Sequence, residues 1–316
     1  MAWPPSLKPI LASEVLSGRL ALRTVGFIGL GVMGKPMAKN LMKARYPLTV
    51  YDISKTRVEE LVQDGAVGAS SVNEVARRSD VVITMLPGPS HVEQVVLGHD
   101  GVLDGAAEGS VIIDMTASTP SLARRISQQA DERHVETLDA PVSGAEQAAI
   151  DGTLSIMVGG KRSVFHECQD IFGAMGKNVV HVGESGAGHA TKLANQIIVA
   201  INLAGLSEAL IFAKKMGVRP DLVCEAIRHG LGGSAVLDTK GPRILNRDFV
   251  GGGKLKYHME QLSWVLEESG KLGIPLIMTA LVQQAIIELC NQGRGDLDHS
   301  VIANFFERLA HVEIGD

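Results

Sequence analysis

Aromatic residues make up only 4% of this 316-residue chain, a poor supply of rings for a surface that stacks on nucleic-acid bases. Cationic excess is missing too: 30 Lys and Arg stand against 35 Asp and Glu, a formal charge of −5. That balance argues against a nucleic-acid or membrane-surface partner, either of which favours a basic stripe. The three cysteines, Cys168, Cys224 and Cys290, are far apart and odd in number. They suggest neither a disulfide framework nor a metal site, but free thiols in a reducing compartment such as the cytoplasm. No uncharged run attains the roughly 18–20 residues that cross a bilayer. The apolar "IIVAINLAGL" is closed off by Ser207 and Glu208 and reads as a buried helix.

What the chain has in quantity is glycine, 35 residues, within a 45% hydrophobic composition. Such a chain suits closely approaching backbone, as in α/β nucleotide-binding folds, and is long enough for two domains. From Thr24 onward, short β-branched runs ("TVGFIG", "LTVYD", "DVVITMLP", "SVIIDM") alternate with helical stretches ("KPMAKNLMKA", "TRVEELVQDG"). This alternation predicts a parallel, doubly wound Rossmann-like sheet, extended by "VETLDAP", "LSIMVGG" and "NVVHVG". Past Gly183 the strand signals stop, and helices are expected over 187–216, at "PDLVCEAIRHG", and over 255–272, 275–292 and 300–310. The expected division is an N-terminal extension (1–23), a dinucleotide-binding domain (24–184) and a helical domain (185–316). The extension has a single acid, Glu14; a loosely packed segment and a mitochondrial transit peptide are both compatible with it.

"TVGFIGLGVMGKPMAKNL" places Gly29-Leu30-Gly31-Val32-Met33-Gly34 between a strand and a helix. In that setting glycines allow a tight turn, close approach to a pyrophosphate and close strand–helix packing at the positive end of the helix dipole. Asp52 ends the second strand 18 residues after Gly34, where an acid binds ribose hydroxyls and favours NAD over NADP. Lys55 and Arg57 soften that preference and leave NADP as the alternative. "TMLPGPSHV" puts Leu86 and Pro87 at the carboxyl edge of the sheet, as a cover for the dinucleotide or a plain turn. "DAPVSGAEQAAIDGTL" sets Ser143, Gly144 and Ala145 in a turn of small residues, either a simple loop or a receptor for a substrate carboxylate.

Lys192 heads the long apolar run "GAGHATKLANQIIVAINLAGLSEAL", with Asn195 and Gln196 on the same helical face. Beside a nicotinamide, a lysine whose pKa is lowered by burial can protonate an oxygen that gains charge during hydride transfer. The two amides can orient it or the substrate, and His189 is close enough in sequence to influence it. A lysine at a helix N-terminus opposes the macrodipole and calls for a reason.

Taken together, "GFIGLGVMGKPMAKNL", "ITMLP", "DAPVSGAEQAAIDGTLSIMVGG", "GAGHATKLANQIIVA" and "GGSAVLDTKGP" resemble the β-hydroxyacid dehydrogenase family in order and spacing. The resemblance implies a Rossmann-like domain joined to a helical domain by one long helix. It also implies a small 3-hydroxy acid or semialdehyde as substrate, and a homodimer or homotetramer. Lys192 then matches the family's acid/base, Ser143 and Gly144 its carboxylate site, and Asn195 a further position of that site. Four places differ from the family pattern: Ala145 replaces a glycine, Ala117 a hydroxyl, Gly251-Gly252-Gly253 a Pro-Gly-Phe, and Glu260-Gln261 a Lys-Asp pair. These differences leave room for a dinucleotide-binding sensor or scaffold with little turnover.

Overall fold

The protein is described here by a computed structural model covering residues 22–315; the extension through residue 21, with the transit-peptide reading, lies outside the described residues. Strands and helices alternate as β1 Val25–Ile28, α1 Gly34–Lys43, β2 Leu48–Tyr51, α2 Lys55–Gln63, β3 Val67–Gly68, α3 Val72–Arg77 and β4 Val81–Thr84. They continue as α4 Pro89–Leu97, α5 Val102–Gly105, β5 Val111–Asp114, α6 Pro120–Asp131, β6 Glu136–Asp139, β7 Val142–Ser143, α7 Ala145–Asp151 and β8 Leu154–Gly160. The α/β half closes with α8 Arg162–Glu167, α9 Gln169–Met175 and β9 Gly176–Gly183. Neighbouring strands follow the order β3-β2-β1-β4-β5-β6-β8-β7, with β9 along the other side of β8.

The central strands turn alternate residues to opposite faces, so both faces are apolar. One buries Phe27, Met37, Ile113 and Phe172; the other buries Ile28, Val82, Val92 and Ile112. The all-parallel expectation holds from β3 through β6 and fails at β8, which runs antiparallel to β6 and β7 and parallel to β9. β6 and β7 share one register along β8, broken at Pro141, which has no N–H to donate.

After Gly183 the described chain is helical: α10 Ala187–Lys215, α11 Pro220–Ile227, α12 Ala235–Leu245, α13 Leu255–Lys271, α14 Ile277–Leu289 and α15 Ala303–Ala310. A π turn at Cys290–Arg294 shortens the helix expected over 275–292, with Gly293 at φ 79°. The helix expected over 300–310 begins as a 3-10 turn at His299–Ile302. α12 is additional to the expected helices. Its Gly241-Pro242 reads as a breaker, yet Ser234 caps the first turn by accepting from Leu237 N. By length and composition α10 could cross a membrane. Here Leu203, Leu206, Leu210 and Ile211 are buried among the helices of the second half, while Ile198 and Phe212 remain more than half exposed.

α10 is anchored on the sheet by backbone contact without intervening side chains. A Cβ added to Gly188 would fall 2.3 Å from Asp139 O and 2.5 Å from Met157 O, and one on Gly159 would fall 2.7 Å from Gly188 N. Gly188→Ala is therefore expected to lower the unfolding free energy by about 3 kcal/mol through overpacking, read as a reduced urea midpoint. A midpoint equal to that of the wild type would mean the junction has slack.

Candidate active site

The glycine loop is built around Asp52. Its carboxylate, buried at the end of β2, accepts from Leu30 N at 2.7 Å and Ser54 N at 2.8 Å. Cβ atoms on Gly29 and Gly34 would strike backbone, at 2.2 Å from Met85 O and 1.9 Å from Gly29 O. A Cβ on Gly31 would meet nothing within 4 Å. Two glycines thus serve packing, and the middle one faces the open space where a pyrophosphate approaches the start of α1. A dinucleotide fits this loop.

Leu30 is buried, so its side chain belongs to the core and its N–H is committed to Asp52. Val32 projects outward at 66% exposure, and Met33 is half-buried. Leu86 packs beside Gly29 and gives its N–H to Thr116 Oγ1 at 3.0 Å, while Pro87 is exposed. Arg57 Nη1 lies 3.6 Å from Asp52 Oδ1 and is half exposed, so a cation stands beside the acid at the end of β2. The arrangement suits NAD and NADP alike.

At the carboxyl ends of β5 and β6, Asp114 and Asp139 lie side by side in register. Asp139 accepts from Gly186 N at 2.7 Å and His189 N at 2.8 Å, so a strand-end carboxylate caps α10. Burial, more than the neighbouring Asp114, pushes its carboxyl above the usual range. In the sequence Asp139 ends the strand candidate "VETLDAP" and opens the loop "DAPVSGAEQAAIDGTL"; nothing local marks it as the cap of a helix some fifty residues later. His189 is fully buried with Nε2 3.4 Å from Asp114 Oδ2. It faces that carboxylate, and the perturbation of Lys192 comes from burial alone.

Lys192 is the sixth residue of α10, more than a turn from its start. Lys192 therefore does not sit in the N-terminal field that the sequence places it in, because the macrodipole fades within the first turn. The side chain is half-buried, and burial pulls its pKa down to about 8. Asn195 Nδ2 donates to Gln196 Oε1 at 2.9 Å, and Gln196 Nε2 donates to Gln261 Oε1. Gln196 is thus taken up in tying α10 to α13, and Asn195 is the half-buried amide left beside Lys192.

α13 also touches the α/β half. Trp264 packs against Gly88, and Glu268 Oε1 accepts from Ser121 Oγ at 2.8 Å. On its inner side His258 contacts the Gln196 carbonyl (3.2 Å) and His299 Nδ1 (3.1 Å). Burial first, then the nearby lysines, pushes His258 down to about 4; burial and His258 push His299 to about 3. Both stay neutral at physiological pH. Glu260, which replaces a cation of the family pattern, is exposed on α13; Lys256 is raised mainly by its hydrogen bond to Asp296 and Cys290 mainly by burial, with Glu260 adding a smaller push to each. Ser143 ends β7, half-buried; Gly144 (φ 140°) and Ala145 (φ 59°) then turn the chain into α7. A Cβ on Gly144 would fall 2.5 Å from that of Ala148, whereas Ala145 takes the left-handed region at a cost of about 1 kcal/mol.

Two family models match the chain: the NAD binding domain of 6-phosphogluconate dehydrogenase over residues 24–183, and the NAD-binding domain of NADP-dependent 3-hydroxyisobutyrate dehydrogenase over 186–306. The 2-hydroxy-3-oxopropionate reductase of Escherichia coli (strain K12) is 39% identical, covering 92% of this chain and 99% of that one. The mitochondrial 3-hydroxyisobutyrate dehydrogenase of Homo sapiens is 32% identical, covering 96% and 93%. A solved structure of Mycobacterium tuberculosis 3-hydroxyisobutyrate dehydrogenase with L-serine superposes with a TM-score of 0.85 at 27% identity, covering 90% and 99%.

Two outcomes are expected from these contacts. Arg57→Ala should raise the KM for NADPH about tenfold, the worth of one charge-assisted hydrogen bond, with that for NADH within about threefold; equal effects would remove Arg57 from the ribose site. Because burial disfavours the Lys192 ammonium, its cost to stability is full below pH 8 and is relieved between about 8 and the usual lysine value. Lys192→Met should therefore stabilise the fold at pH 7 by about 1 kcal/mol, allowing for its partial exposure, with the gain shrinking in thermal melts at alkaline pH.

Proposed function

The chain belongs to the β-hydroxyacid dehydrogenase family, NAD(P)-dependent oxidoreductases, and from that premise we propose that it interconverts a small 3-hydroxy acid and its semialdehyde. Reduction of tartronate semialdehyde (2-hydroxy-3-oxopropionate) to glycerate is the reaction this reading favours. The observation that carries it is Lys192, an enclosed ammonium with a pKa near 8 whose only perturbation is burial, with no carboxylate contributing. A cation so placed attracts an anionic substrate and releases its proton readily near neutral pH.

Bound reduced nicotinamide would supply a hydride to the aldehyde carbon. Lys192 Nζ gives its proton to the aldehyde oxygen as negative charge builds there, and the resulting amine regains a proton from water. Ser143, Gly144 and Ala145 hold the carboxylate, and Asn195 orients the reacting oxygen or the lysine. The neutral His258–His299 pair adds no competing charge beside Lys192. Relatives named for 2-hydroxy-3-oxopropionate and for 3-hydroxyisobutyrate both align over nearly the whole chain, so the substituent on the middle carbon is the open variable. Ile198, Phe212, Ile277 and Leu281, each more than 60% exposed, support association of copies through the helical half as a homodimer or homotetramer.

Lys192→Ala is expected to lower kcat by at least about a thousandfold, an acid/base contribution plus lost charge stabilisation, while the Kd for NADH stays within a few-fold. Turnover equal to that of the wild type would reject the role. In the wild type, kcat/KM for reduction should fall, and that for oxidation rise, as pH passes through about 8, since one direction needs the ammonium and the other the amine. Parallel profiles in both directions would point to a different titrating group.

A further inference from the structure

A second ammonium belongs to the cluster around Lys192. Lys240, on α12, donates from Nζ to the fully buried carboxylate of Asp298 at 2.7 Å and keeps 17% of its side chain exposed. Asp298 also accepts from Gly253 N at 2.9 Å and Ser300 N at 3.0 Å, which fixes it against the 251–253 loop and the 3-10 turn. Its neighbour His299 meets His258, and His258 meets the Gln196 carbonyl one turn beyond Lys192. A continuous chain of contacts thus joins the two lysine-bearing helices. Lys192 and Lys240 both lie close enough to the two histidines to disfavour their protonation.

The proposed substrate makes three polar demands. Its carboxylate goes to the Ser143 turn and its aldehyde oxygen to Lys192, while the group on the carbon between them has no receptor in that scheme. We propose that Lys240 is a specificity-determining residue that donates a hydrogen bond to a hydroxyl on this middle carbon. The inference rests on the substrate reading given above. An ammonium has three N–H donors, and Asp298 is the hydrogen-bond acceptor recorded for Lys240 among the described residues. Pairing with Asp298 makes the group nearly neutral overall, so a neutral hydroxyl suits it better than a second carboxylate. A methyl at the same place would strand a half-buried donor, and sites built to hydrogen-bond a hydroxyl reject analogues that lack it.

The test measures kcat/KM for three β-aldehyde acids carrying hydroxyl, hydrogen or methyl on the middle carbon. The proteins compared are the wild type, Lys240→Arg, Lys240→Met and the double variant Lys240→Met/Asp298→Asn, which leaves no buried carboxylate unpaired should the single variant fold poorly. Calorimetric binding of the corresponding reduced acids to the NAD-loaded proteins reads the same preference without turnover. The expected result is a hydroxyl-over-methyl preference of at least about tenfold in the wild type, partly kept by Lys240→Arg and reduced to about twofold or less in both Met proteins. An unchanged preference in a Met protein that still binds NADH overturns the role of Lys240. If the wild type reduces none of the three yet binds hydroxy acids with a preference that Lys240→Met removes, Lys240 stands and the reaction assignment falls. A wild type that neither binds nor reduces them sinks both.

Discussion

A carboxylate at the end of one strand caps a helix that begins nearly fifty residues later, and the rest of the site depends on that contact. Asp139 takes the N–H groups of Gly186 and His189, while Gly159 and Gly188 bring sheet and helix to backbone distance. Two backbone N–H donors and the positive end of α10 partly offset the burial that pushes the acid's pKa up. The result is directional as well as stabilising. It fixes the start of α10 over the carboxyl edge of the sheet, and Lys192 follows at a set height on the helix.

Electrostatically, the two halves of the protein do different work. The α/β half offers open backbone at Gly31 and a helix N-terminus for phosphates. The helical half offers a lysine with no carboxylate partner among the described residues and two histidines too enclosed to protonate. A buried ammonium without a counterion is unfavourable for folding, and its retention makes sense when the missing anion arrives as substrate. The Lys240–Asp298 pair differs in kind: it is internally balanced, and it pins the 251–253 loop. On the proposed reading, the charge for catalysis and the neutral pair for recognition sit at the two ends of the same histidine contact.

Much of this was legible in the amino-acid order, and the reasons for the misses are physical. The strand–helix alternation, the glycine loop with Asp52, and the helical face shared by Lys192 and Asn195 were readable, because each depends on local spacing. The antiparallel β8 was not, since a buried strand is apolar whichever way it runs. α12 was hidden by Gly241-Pro242, whose breaking tendency was outweighed by the Ser234 cap and by burial of Leu237 and Ile244. Asp139, Lys240 and Asp298 escaped because each partners a residue far along the chain. Spacing lets Gln196 orient either the lysine or the substrate, and its amide instead donates to Gln261; helical periodicity gives a side, not the neighbour on that side. Glu260, the acid standing where the family pattern has a cation, lies exposed on α13.

The central claim is that enclosure alone makes the Lys192 amine a proton donor poised near neutral pH. Its most direct test is nuclear magnetic resonance of protein labelled at the lysine side chains, with the Lys192 signal assigned by difference from Lys192→Arg and followed through a pH titration. A titration midpoint near 8 agrees with the structure. A midpoint at the ordinary value for a solvated lysine, about 10.4, would contradict it and leave the crevice without its acid.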